Sequence, residues 1–175
     1  GSLNHFVITD DRNLVMPINS EIVYLWNLLF FKNDIGLFFV SFIGYIGAIF
    51  SIYNILEYFS FSKRRILWTI FIVSSFASVM AEISSLETDV LLAGLVLSCI
   101  TLYLYALKEK SVLNIFYSAL VYALAMGTKS PAIIAFPGVF LLLAYFSYRT
   151  QKKEFYKPLI AFAGFLALNF FVFSC

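Results

Sequence analysis

The chain has 175 residues, 62% of them hydrophobic and 13% charged, with a formal net charge of +2 and a mean hydropathy of +0.91. A soluble domain is nearer half apolar and a quarter charged, so the composition excludes an ordinary soluble globule and indicates a polytopic membrane protein of all-α class. The basic residues are spread through short loops, which excludes a nucleic-acid-binding stripe. One histidine, His5, and two cysteines in apolar runs, Cys99 and Cys175, suggest neither a metal cluster nor a disulfide.

Residues 1–17 are polar and irregular, with Asp10, Asp11 and Arg12 together. There is no initiator Met and no cleavable signal pattern, and the sequence stops within an apolar run, so we expect a piece of a longer protein. Residues 19–31 read as an amphipathic helix, with Ile22, Leu25, Trp26, Leu29 and Phe30 on one face. It is too short to span, and Tyr24 and Trp26 suit a membrane–water interface. The bland alternative is the lead-in to the next helix.

About six spanning candidates follow, at 36–59, 66–81, 88–107, 112–126, 132–146 and 158–173. Several fall slightly below the ~20 residues a span needs, so flanking residues must extend them or one must be re-entrant. The loops at 60–65, 108–111 and 148–157 carry nine of the twelve Lys and Arg residues. The opposite side holds seven of the ten acids, including Glu21, Glu82, Glu87 and Asp89. By the positive-inside rule, the basic loops are cytoplasmic, and the N-terminal segment and acidic corner are extracytoplasmic. The spacings Gly44/Ala48 and Ala119/Ala123/Gly127 place small residues four apart, which lets membrane helices approach closely. Pro137-Gly138 is expected to kink or loosen its helix.

Two polar corners lie on the acidic side. In the first, Ser84-Ser85-Leu86-Glu87 fits a capping box, which by itself explains Ser84 and Glu87. Asp89 lies at the edge of the next apolar run, where a carboxylate is costly unless paired, solvated or metal-bound. The alternative is a solvated interfacial acid. In the second, Gly127-Thr128-Lys129-Ser130-Pro131, Ser130 can cap the following helix and Pro131 suits its first position. Lys129 beside a helix N-terminus is a ready anion site. The alternatives are a lysine snorkelling to water or pairing with Asp89 or Glu87. Opposite charges on adjacent corners fit a site where carboxylates hold a divalent cation and Lys129 holds a phosphate.

These features in this order resemble the multi-span glycosyltransferases of the GT-C superfamily. The nearest group is the family 39 enzymes like dolichyl-phosphate-mannose protein mannosyltransferases, together with lipid A aminoarabinose transferases. Residues 16–26 (MPINSEIVYLW) resemble the end of their first outer loop. Residues 86–93 (LETDVLLA) resemble the corner that opens a span. Residues 125–131 (AMGTKSP), followed by Phe136-Pro137-Gly138, resemble their second outer corner. The resemblance implies a partial GT-C fold in a bacterial or archaeal plasma membrane. It also implies transfer of a sugar from a polyprenyl-phosphate carrier to a lipid, glycan or protein acceptor on the extracytoplasmic side. Lys129, Asp89, Glu87 and Glu21 would bind the carrier, and Asp89 and Glu21 would hold a Mg or Mn ion. The family's catalytic acid and first span would lie upstream of Gly1, so this piece alone is expected to be inactive. A transporter or flippase subunit and a non-catalytic membrane scaffold are the alternatives.

Overall fold

The computed structural model describes residues 22, 25, 26, 28–30, 35–84 and 88–174. Among them there is no strand. Helix α1 is Ile35–Tyr58, α2 is Lys63–Ser74, α3 is Ala77–Ser84, α4 is Asp89–Glu109, α5 is Val112–Thr128, α6 is Pro131–Gln151 and α7 is Tyr156–Ser174. A 3-10 turn, Lys152–Glu154, joins α6 to α7. Among the described residues three stretches, Phe39–Tyr58, Asp89–Glu109 and Pro131–Glu154, are long and apolar enough to cross a membrane, and α5 is a shorter apolar helix of 17 residues. Helix is the form an apolar run must take where no water can satisfy its backbone. Ahead of α1, residues 22, 25, 26 and 28–30 are helical and exposed, and the Trp26 and Phe30 rings meet edge to face at 6.2 Å.

The apolar run at 66–81 is not one helix. It divides at Ser75 and Phe76 into α2 and α3. The physical reason lies in two adjacent hydroxyls. Ser75 Oγ donates to the Phe71 carbonyl at 2.6 Å, a back-bond that bends helices, and Ser74 Oγ accepts from Tyr45 on α1 at 2.8 Å. Pro137 and Gly138 have the opposite outcome: α6 runs through both. Pro137 has no N–H, so only its own bond to the preceding turn is lost.

Contacts fix the direction of each helix. Along α1 and α4, Gly44 meets Leu91, Ser51 Oγ lies 3.0 Å from Ser98 Oγ, and Tyr105 Oη donates to Asn54 Oδ1 at 3.3 Å. Both residue series rise together, so the two helices run parallel, and α2 with α3 must carry the chain back between them. Helices α4 and α5 run antiparallel. Ser118 Oγ donates to the Cys99 carbonyl at 2.8 Å and lies 3.3 Å from the Cys99 thiol. Helices α4 and α6 are parallel through Tyr103 Oη and Ser147 Oγ, 2.7 Å apart, with Ser147 donating on to the Leu143 carbonyl at 2.9 Å. The Phe116 and Phe165 rings, 5.4 Å apart, join α5 to α7. The core where these four helices meet is built on Tyr103, Leu104, Tyr122, Leu143 and Phe162, all fully buried. Successive passes therefore alternate, and the bends gather at two ends.

The α1–α4 contact is backbone on backbone. A side chain at Gly44 would strike the Leu91 backbone, and one at Gly94 would strike the Gly44 carbonyl. Gly44 is thus the close-approach residue that its spacing implies, while Gly94 supplies the other half of the contact. Ala119 and Ala123 are buried as expected for a packing stripe.

Candidate functional site

The site is built at the end of the bundle opposite the basic turns. Helix α4 begins at Asp89, with Thr88 as its N-cap and no side-chain capping bond. The capping-box expectation fails here, because Ser84 is the last residue of α3 and cannot cap a helix that starts five residues later. Asp89 instead occupies the first turn of α4, where the partial positive charge of the helix terminus favours a carboxylate.

Lys129 follows α5 in extended conformation, with φ −156° and ψ 137°. Its backbone N–H donates to the Ala125 carbonyl at 3.3 Å, and Thr128 Oγ1 donates to the Leu124 carbonyl at 2.7 Å. Tyr122 Oη reaches across to the Ala132 carbonyl at 2.9 Å and ties the first turn of α6 to α5. Its ring packs against Phe136 at 5.7 Å. These bonds hold the α5–α6 corner in one geometry.

That geometry joins the two corners. The Lys129 ammonium donates to Asp89 Oδ1, forming an ion pair between residues forty positions apart. The register of α4 on α5 requires it. From the Cys99–Ser118 contact, Asp89 lies ten residues back along α4 and Lys129 eleven forward along α5. At ~1.5 Å per residue both lie about 15 Å away in the same direction. The side chains are 32% and 46% exposed, so solvent reaches the pair. An ammonium has three N–H donors, and this bond uses one of them.

Two details differ from the sequence expectation. Ser130 holds the N-cap position of α6 and Pro131 opens the helix, as expected, but Ser130 lies at φ −54° and ψ −33° and its side chain makes no capping bond. The first N–H groups of α6 are also occupied. Ala132 donates to the Lys129 carbonyl at 3.1 Å, and Ile133 donates to the Ser130 carbonyl at 2.9 Å. The chain turns tightly into α6 and satisfies these donors locally. Any anion held here is held by the ammonium, with little help from backbone N–H groups.

Of the other sequence candidates, Glu21 and Glu87 lie outside the described residues. Glu82 is half-buried near the end of α3. No group of three His, Cys, Asp or Glu among the described residues is placed to hold a metal ion. Asp89 Oδ1 is engaged by an ammonium, and Glu21, the other expected ligand of a Mg or Mn ion, lies outside the described residues. Sequence reasoning missed Gly94, although Gly94 and Ser98 are themselves small residues four apart. It also missed the buried Tyr103–Ser147 pair, for which no local pattern exists. Protein-family models, curated proteins and solved structures give no match to this chain.

Proposed function

We propose that this chain is part of an integral-membrane glycosyltransferase of GT-C type, with six spans and with the Asp89–Lys129 end on the extracytoplasmic face. In this reading the donor is a sugar on a polyprenyl-phosphate carrier. The acceptor is a hydroxyl of a lipid, glycan or protein. That hydroxyl displaces the carrier phosphate at the anomeric carbon, and its proton passes to a carboxylate acting as base. Lys129 meets the phosphate with the N–H donors that Asp89 leaves open. Asp89 aims the ammonium at the edge of an apolar helix. Glu21 and Glu87 remain candidates for the same carrier.

The observation that supports this reading most is the convergence of two sequence corners, forty residues apart, into one half-exposed ion pair at the end of the bundle with fewer basic residues. No metal step enters it.

The test uses the full-length protein in membranes. Lys129→Ala and Asp89→Asn should each lower transfer by about ten- to a hundredfold, the effect of losing one charge-assisted contact. Exchanging the two charges, Asp89→Lys with Lys129→Asp, restores the pair but moves the ammonium, and transfer should stay low. Full transfer in the exchanged variant would reduce the pair to a structural clasp. One observation favours a transporter instead, because α2 and α3 form a broken helix as transporter folds often do. Carrier-dependent sugar release with no transfer to any hydroxyl would favour that reading.

A further inference from the structure

The opposite end of the bundle holds a cleft of about 450 Å³ between the α4–α5 turn and the α6–α7 turn. Its floor is apolar and buried, formed by Ala106, Ile115 and Pro158. Lys110 and Lys157 line it, with Thr150 and Gln151 as neutral polar groups beside them. The one acid in its lining, Glu154, is paired with Lys157 at 2.6 Å. Glu109, nearby, accepts from Asn114 at 3.0 Å. Lys108, Arg149, Lys152 and Lys153 lie in or next to the same two turns in the sequence. The lining thus holds two ammonium groups against one carboxylate, and the floor is of the wrong chemistry for a simple solvated anion.

We propose that this cleft binds the phosphate headgroup of an anionic phospholipid. The phosphate meets Lys110 and Lys157, and the glycerol and first acyl carbons lie on the apolar floor. Exposed Val112 and Ile160 continue that apolar surface along α5 and α7, as a path for the chains. Basic pockets between helices at a membrane surface suit such headgroups. The inference needs the membrane but not the sugar-transfer reading, since it uses the other end of the molecule and other residues.

Lys110 also supplies a variant that protects the fold. It sits in left-handed conformation at φ 54°, capping α4, where glycine is the preferred residue. Lys110→Gly thus removes the charge without straining the backbone.

The experiment is native mass spectrometry of the purified protein from micelles holding equal phosphatidylglycerol and phosphatidylcholine. The protein should retain phosphatidylglycerol selectively. Lys110→Gly and Lys157→Gln should each lower that preference about fivefold, and together about 25-fold. Glu154→Gln removes the one acid in the lining and should raise it. Changing Lys63 and Arg64 to Gln, on the α1–α2 side of the same end, should leave it unchanged. Equal retention of both lipids, or wild-type preference in the double variant, would overturn the proposal. Equal loss on changing Lys63 and Arg64 would show diffuse charge attraction instead and would overturn it too. So would displacement of the lipid by inorganic phosphate, which marks a plain anion site.

Discussion

Gly94 and Gly138 are the same residue in two opposite situations. A Cβ at Gly94 would collide with the Gly44 carbonyl, whereas nothing lies within 4 Å of one at Gly138. Gly94→Ala should therefore force α1 and α4 apart and cost about 1–3 kcal/mol. Gly138→Ala should stabilise α6 by about 0.5–1 kcal/mol through the entropy lost by a helical glycine. Thermal unfolding in detergent separates the two, and a similar shift for both would contradict the backbone contact. The Asp89–Lys129 pair is judged by the same scale. Half-exposed pairs contribute about 1 kcal/mol or less, so Lys129→Ala should unfold within a few degrees of the parent. A tenfold or larger loss of transfer would then come from the site and not from the fold. That Lys129 could pair with Asp89 was legible in the sequence, because both open or close apolar runs on the same side. What was not legible was the local detail. Ser130 takes the cap position but its hydroxyl makes no capping bond, because the turn after Lys129 already satisfies the N–H groups a cap would serve.

At the scale of elements, hydropathy found the positions of the helices and missed the break in one of them. The run at 66–81 is continuous in hydropathy but contains Ser74-Ser75, and the partner that takes up Ser74 is Tyr45, twenty-nine residues away. Local periodicity cannot see that partner. The first N–H groups of α3 then have no partner one turn earlier in their own helix. Amide hydrogen exchange in micelles should be faster at residues 77–79 than at residues 70–73. Uniform protection across 66–81 would mean a single helix. Capping was also misread at this scale. The Ser84–Glu87 spacing matches a capping box in letters, yet α3 still runs through Ser84 and α4 starts only at Asp89. The small-residue spacing at Gly44 was read correctly because a close helix approach has few sequence alternatives.

The whole molecule has two unlike ends. The turns at residues 59–62, 110–111 and 152–155 gather at one, and the Asp89–Lys129 pair marks the other. Alternation of charge in the sequence anticipates this division, and the parallel pairs α1–α4 and α4–α6 require it, since each needs a full return pass between its members. Both the proposed donor site and the proposed lipid cleft depend on these ends lying on opposite faces of one membrane. The direct measurement is cysteine labelling in sealed vesicles with a membrane-impermeant maleimide. Single cysteines are placed at Lys108 or Lys129, with Cys99 and Cys175 replaced. The two positions should label from opposite faces, Lys129 from the extracytoplasmic face only and Lys108 only after the vesicles are opened. Labelling of both from the same face of intact vesicles would contradict the arrangement, and with it both proposed sites.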